Sequence, residues 1–434
     1  MLDIKFIREN VQRVKDSVRD KNKDVDINRL LELDDARKLL QMQLDGARAE
    51  QNKASAEIAV ASESEREDMI KAVATLKDAV KKLEAELAPV LKEFGEILYI
   101  VPNITDPEMP VGKGEEDNVI LRDEGEKPSF AFEPKEHWEL GKELDILDVE
   151  KAAEVSGARF WYLKGDLVRM QFAMHQFAFD TLTNEDVIRE VRDSLGLGHL
   201  SAKPFIPMLP PVMIRDSVQK AIHRVFGDQT YKIEDEELNL VASAEHTLAV
   251  YHMNETLSES ELPKRYIGYS TAFRREAGTY GKDMKGMLRG HQFDKSEMES
   301  FTTAESGADE QKLILGLQEY MVKQLGLPYR VVQICTGDTG APDYQQFDIE
   351  CWLPGQDAYR ETHTTDYMTD YQTRGINSYY KTEAGERKLL HTNDATAFAG
   401  RPLIAIMEVY QQADGTIKIP EVLQKYMNGQ EVIK

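Results

Sequence analysis

Residues 271–299, TAFRREAGTYGKDMKGMLRGHQFDKSEME, collect side chains that neither a core nor a random surface favours together. Side chains in a strand repeat every second residue, so Arg274 and Glu276 share one face of the first flank. Arg289, His291, Phe293, Lys295 and Glu297 share one face of the second. Guanidinium forks match phosphate and carboxylate oxygens, a phenyl ring matches a purine face, and a carboxylate accepts from an exocyclic amine or an ammonium. A lined site for an anionic nucleotide and an amino group fits this row; an exposed, salt-laced hairpin is the bland alternative. The glycine-bearing stretch 278–286 predicts the loop that joins the two flanks as an antiparallel hairpin.

The elements that must carry this row read as short β-like runs (160–163, 238–242, 346–352) mixed with helical stretches (167–182, 309–325, 403–412). Strands gathered between helices without βαβ alternation predict an α+β domain, an antiparallel sheet flanked by helices. Upstream the texture differs. Leu30, Leu33, Leu40, Leu44, Ala47, Ala54 and Ile58 follow a 3-4 spacing. After the polar stretch 62–68 it resumes at Met69, Val73, Leu76, Val80, Leu83, Leu87, Val90, Phe94 and Ile97. Two seams of matched length predict an antiparallel coiled-coil hairpin of roughly 50 Å projecting from the body; a dimerising coiled coil is the competing reading. Its cations Arg37, Lys38, Arg48, Lys53, Arg66, Lys71, Lys77, Lys81 and Lys82 are candidates for RNA phosphates, although they alternate with acids. Pro102, Pro107, Pro110, Gly112 and Gly114 predict a linker, which divides the chain into 1–100, 101–118 and 119–434.

Composition narrows the class. The 434 residues carry 54 basic and 77 acidic side chains, a formal charge of −23, so a global positive field for nucleic acid is excluded while a local basic patch is not. Cys335 and Cys351 are too few for a disulfide framework or a thiolate cage, and no structural zinc is expected. No apolar run approaches roughly 18 residues, and the start, with Asp3 and Glu9, lacks the pattern of a secretory leader. A soluble, cytoplasmic protein without a membrane partner is expected. There is no GxxxxGK[ST], and Gly196-Leu197-Gly198 lacks the third glycine of a dinucleotide fingerprint. HExxH, CxxC and a nucleophile elbow are also missing, which removes metal-hydrolase and serine-triad chemistry.

The central string resembles motif 2 of the class II aminoacyl-tRNA synthetases, in the form FRxEAG…GxxRxHQFxKxE typical of seryl-tRNA synthetases. The resemblance runs through nearly the whole chain. The helical arm is similar to that family's tRNA-binding domain, and Pro102-Asn103-Ile104 through Glu115-Glu116-Asp117-Asn118 to its linker. His137-Trp138-Glu139-Leu140-Gly141 and Ser156-Gly157-Ala158-Arg159-Phe160 resemble the start of its catalytic domain. Leu209-Pro210-Pro211-Val212 resembles motif 1, whose proline lies at a dimer interface. Ser243-Ala244-Glu245 resembles the Thr-Ala-Glu serine-binding element. Tyr359-Arg360-Glu361-Thr362-His363-Thr364 resembles Tyr-Arg-Glu-Ile-Ser-Ser, and Ala399-Gly400-Arg401 through Tyr410-Gln411 resembles motif 3. Any one tripeptide is weak; their order and spacing are specific.

The resemblance implies a homodimeric ligase that forms seryl-adenylate from ATP and L-serine, then esterifies the terminal adenosine of tRNA(Ser), with tRNA(Sec) as a further candidate. It implies Arg274 and Arg401 as catalytic. Arg274 meets the α-phosphate and the serine carboxylate, Glu276 the adenine amine and Phe293 the adenine face, while Arg289 and Arg401 hold the outer phosphates. Thr362, His363 and Thr364 join the ATP site, and Glu361 with Thr364 holds Mg²⁺. Ser243, Ala244, Glu245, Arg274, Glu297 and Thr396 bind serine; the segment before Arg401 is one residue short, so Asp394 or Thr396 faces the ligand. Pro402 suits a first helical position, which aims that helix's amides at phosphate. His291 and Lys295 match family positions without an assigned role. Two alternatives remain: a related ligase that charges a carrier protein, which lacks the long arm and uses a zinc-binding cysteine, and an inactive RNA-binding paralogue. The arm and the presence of Arg274, Glu276, Glu361 and Arg401 disfavour them.

Overall fold

The protein is described by a computed structural model covering residues 1–60, 62–224, 229–276 and 285–434. It divides into two compact units, Met1–Ile104 and Thr105–Lys434.

In the first unit, helices Ile4–Glu9 and Val11–Asp20 precede two long helices, Ile27–Val60 and Glu63–Ile100. The predicted seam packs: Leu44, Val80 and Leu87 are buried, with Leu40, Ala47 and Leu83 against them. Arg29–Glu93 at 2.7 Å and Arg48–Glu84 at 2.8 Å cross between the helices with numbers that converge, so the pair is antiparallel. The stretch expected as a polar break is already helical from Glu63. Buried Asp34 draws in Arg8, Arg37 at 2.5 Å and Lys38 at 2.7 Å, which ties the first short helix to the long one. Arg37 and Lys38 therefore serve the fold. Arg48, Lys71 and Lys82 are also paired with acids, whereas Lys53, Arg66, Lys77 and Lys81 form no ion pair with a described residue.

The second unit is built on one large sheet of β1 (Val119–Glu124), β2 (Ile206–Met208), β3 (Lys264–Phe273), β4 (Gln292–Thr302), β5 (Tyr329–Gln333), β6 (Gln345–Leu353), β7 (Ala358–Thr369) and β8 (His391–Phe398). Its spatial order is β1-β5-β6-β7-β8-β4-β3-β2, antiparallel except for β2 beside β3. Helices Asp166–Leu182, Gly307–Gln324 and Gly400–Val409 bury apolar faces in one core with Met298, Ile349, Ala395, Ala397 and Phe398 of the strands. At about 1.5–3 kcal/mol for each large apolar side chain, this core fixes which sheet face is dry. Alternation then dictates the other face: with Met298, Ala395 and Ala397 in the core, Glu297, Glu299, Asp394 and Thr396 point away from it. Gln318 is the polar pin within the core helix, donating to Thr364 O at 3.0 Å and Thr396 O at 2.7 Å.

The stretch expected as a linker is bonded into this unit over its second half. Asp106 N donates to Tyr344 O, Thr336 N to Pro110 O, and Cys335 N to Asn118 Oδ1, each at 2.9 Å. Both cysteines are buried, and burial pushes the Cys351 thiol up to about 12. Among the described residues, no helix is long and apolar enough to cross a membrane.

Candidate active site

The polar face of the sheet opens into a cavity of about 460 Å³. Register puts the hairpin residues there: on β3 and β4, Ala272 lies opposite Phe293, Ser270 opposite Lys295 and Gly268 opposite Glu297. Phe293, Lys295 and Glu297 line the cavity, as the period of two predicts. The alternation does not extend backwards to residue 291, because β4 starts at Gln292. His291 leaves the row; its Nδ1 donates to Arg274 O at 2.9 Å and its ring packs 5.2 Å from that of Phe160. Most of the predicted loop 278–286 lies outside the described residues.

Arg274 follows the end of β3. Its Nε donates to Ala242 O at 3.2 Å, and its guanidinium sits 5.2 Å from the Phe293 ring centroid, within cation–π range. Among the described residues neither Nη group has a hydrogen-bond partner, so both can meet a ligand. Enclosure lowers the Arg274 pKa, against the opposing pull of Glu276 and Glu361. Glu276 takes φ of 49°, the left-handed region that is uncommon for a glutamate, and its Oε2 meets Arg289 Nε at 3.3 Å. Behind this corner His137 Nε2 accepts from Met287 N at 3.0 Å while its Nδ1 donates to Glu408 Oε1 at 3.0 Å. One neutral ring thus joins the second hairpin flank to helix Gly400–Val409. Gly286 is required there: its φ is 68°, and a Cβ would come within 2.0 Å of His137 Nε2.

On β7, Glu361 and Thr364 are three apart, a spacing that a regular strand would split between faces. The register shift between Ile349 and Glu350 inserts Thr362 as an extra residue, so both line the cavity. Thr364 Oγ1 donates to Glu361 Oε1 at 3.5 Å, placing two hard oxygen donors side by side. Thr362 borders the cavity with its hydroxyl turned to Ile349 O at 3.0 Å. His363 corrects the expectation: the same bulge sends it to the core face, 5.7 Å from the Phe398 ring, where burial pushes its pKa down to about 3. It cannot meet phosphate. Arg401 Nη1 lies 3.1 Å from Glu361 Oε2 and donates to Glu361 O at 2.9 Å, and Nε donates to Leu288 O at 3.2 Å. Its helix starts two residues earlier than expected, at Gly400, so Pro402 is the third residue.

At the other end, Ser243 Oγ accepts from Lys295 Nζ at 3.4 Å, and Lys295 Nζ lies 2.6 Å from Glu297 Oε2. Burial raises the pKa of Glu297, and Lys295 opposes it. Ser243, Glu245, Glu297, Asp394 and Thr396 all line the cavity, so neither member of the Asp394 and Thr396 alternative is excluded. Ala244 departs from expectation: it is fully buried in an apolar cluster with Leu248, Tyr266 and Phe301. Arg224, Asp343 and Asp366, which line the same end, carry no signal in the sequence, and Lys295 and His137 have no role there. Arg224 belongs to no motif, and its partners Glu245 and Asp394 lie 21 and 170 residues away.

The N-terminal 105 residues match the pattern of the seryl-tRNA synthetase N-terminal domain. Residues 230–410 match that of the tRNA synthetase class II core domain (G, H, P, S and T). The chain is 38% identical over its full length to serine–tRNA ligase of Rubrobacter xylanophilus, covering 99% of it, and 38% identical to that of Treponema denticola, with 98% of each chain covered. Among solved structures it is similar to seryl-tRNA synthetase from Pyrococcus horikoshii complexed with ATP, at 34% identity and a TM-score of 0.85, covering 100% of this chain and 99% of that one. It is also similar to the cytoplasmic serine–tRNA ligase of Naegleria fowleri in complex with AMP, at 29% identity and a TM-score of 0.82, with the same coverage.

Proposed function

The chain belongs to the seryl-tRNA synthetase family, and from that premise we propose which of its residues do what in joining serine to tRNA with ATP. Activation is attack by the serine carboxylate on the α-phosphorus of ATP; an O–P bond forms and pyrophosphate leaves. The carboxylate is already ionised, so no general base is needed. The protein must align two anions and offset their repulsion.

Arg274 takes the α-phosphate and the serine carboxylate through its Nη groups, Phe293 stacks on adenine, and Glu276 accepts from the adenine amine. Arg289 and Arg401 take the outer phosphates. Thr362 contributes only backbone there, given the direction of its hydroxyl. Glu361 and Thr364 fit Mg²⁺ by their donor chemistry, and the ion would neutralise phosphate charge. Ser243, Glu245, Glu297 and Thr396 receive the ammonium and hydroxyl of serine. The observation that carries this assignment is the meeting of Arg274, Arg289, Arg401 and Phe293 in one cavity whose far end is lined by carboxylates.

For the second step, Lys53, Arg66, Lys77 and Lys81 are the arm cations best placed to hold tRNA phosphates, because the others are spent on acids. Shape rather than base sequence is the expected basis of recognition, with tRNA(Ser) as substrate and tRNA(Sec) as a candidate. Residues 1–100, 101–118 and 119–434 divide these tasks as arm, connection and catalytic domain. A homodimer through the motif 1 segment is supported by the exposure of Leu209, at 82%, beside Ile206 and Met213. A cytoplasmic location follows from the role in translation. The test is ATP–pyrophosphate exchange with each of the twenty amino acids, followed by charging of total tRNA; serine alone should drive exchange, and exchange driven by another amino acid instead would overturn the assignment.

A further inference from the structure

The amino-acid end of the cavity holds a cation that none of these roles uses. Arg224 is buried, and its Nε donates to Glu245 Oε1. Its Nη2 donates to Asp394 Oδ2 at 3.2 Å and lies 3.6 Å from Asp343 Oδ1, and the Asp366 carboxylate adds to the field around it. All five residues line the same cavity as Ser243, Lys295 and Thr396. Buried Asp366 has one oxygen, Oδ1, without a hydrogen-bond partner among the described residues. Four acidic side chains converge on one guanidinium in this recess. Without the guanidinium, its chemistry would favour an ammonium-bearing side chain. With it, Arg224 and Gln372, the latter at 3.0 Å, both bond Glu245 Oε1 and leave Oε2 to the ligand.

The geometry points to Arg224 as a specificity-determining residue of amino-acid activation: it fills the recess beyond the serine side chain and supplies the cation its carboxylates require, so that a small neutral side chain is accepted and a longer or cationic one refused. This rests on the assignment of the cavity's acidic end to serine. Selectivity built on a buried polar partner is steep, because the wrong ligand leaves charged groups unpaired.

The experiment is ATP–pyrophosphate exchange by the full-length protein with serine, threonine, 2,3-diaminopropionate (serine with an ammonium in place of the hydroxyl) and 2,4-diaminobutyrate. The parent should use serine. R224A should lose at least about tenfold in kcat/KM for serine, mostly through KM, while the ratio of diamino acid to serine activation rises at least about 100-fold. R224K keeps a cation and should still refuse the diamino acids. A variant that merely damages structure would lower every substrate alike, so an unchanged ratio in R224A overturns the proposal. Should R224A not fold, R224Q/D394N, which puts neutral amides in place of the guanidinium and the carboxyl, decides: a threonine-to-serine ratio raised at least about tenfold supports the role, and an unchanged ratio overturns it. Failure of the parent to use serine would instead sink the serine assignment, whatever the variants do.

Discussion

Arg274→Ala is the sharpest perturbation of the proposed chemistry. Nε is committed to Ala242 O, so the two Nη groups are the ones that would meet the α-phosphate and the serine carboxylate. Each is a charge-assisted hydrogen bond of about 1.5–3 kcal/mol, and losing both raises the barrier by about 3–6 kcal/mol. At about 1.4 kcal/mol per tenfold, exchange should fall by roughly 10² to 10⁴. The substitution also leaves Glu276, Glu297 and Glu361 around the two anionic substrates with one cation fewer, which places the expected loss toward the upper end. Arg274→Lys keeps a charge but not the fork, and should recover about one of the two bonds. The readouts are serine-dependent pyrophosphate exchange under saturating ATP and a separate tRNA-binding titration. Exchange should collapse while tRNA affinity stays within about twofold, since the proposed tRNA contacts lie in residues 1–104. An alanine variant within tenfold of the parent would refute the reasoning.

Phe293→Ala should weaken ATP by roughly 10- to 100-fold through lost stacking, with the serine KM little changed; equal effects on both substrates in exchange kinetics would argue against an adenine platform. Asp366 tests the acidic recess by pH. Burial first, then Asp343 and Asp394, push its carboxyl well above the usual range, so the native state holds the proton more tightly than the unfolded chain. Its stability contribution is fullest below the unfolded value near 3.9 and is lost as pH rises. The melting temperature of D366N relative to the parent should therefore climb between about pH 5 and pH 8, by calorimetry; a flat difference contradicts it. Deleting residues 38–92 should leave pyrophosphate exchange measurable and suppress tRNA charging, and undiminished charging would remove the arm from tRNA recognition.

The sequence by itself determined whatever depends on short-range periodicity. The 3-4 spacing from Leu30 to Ile97 is realised as two packed helices because a helix repeats locally. The period of two in β4 sets Phe293, Lys295 and Glu297 on one face for the same kind of reason. Motif order then ties these local pieces to a known family, although it says nothing about which neighbour each side chain meets.

Tertiary structure decided the rest, wherever one extra residue or one distant partner intervenes. A bulge at Thr362 brings Glu361 and Thr364 together and turns His363 into the core, an outcome that depends on β6 rather than on β7 alone. His291 leaves its predicted row because the strand begins one residue later, and Ala244 sinks into a cluster supplied by Tyr266 and Phe301. Arg37 and Lys38 face Asp34 rather than solvent alone. Arg224 is the extreme case. A lone arginine has no period and no motif, and its meaning arises only when the sheet gathers Glu245, Asp343, Asp366 and Asp394 around it, out of water, where its charge can no longer be screened.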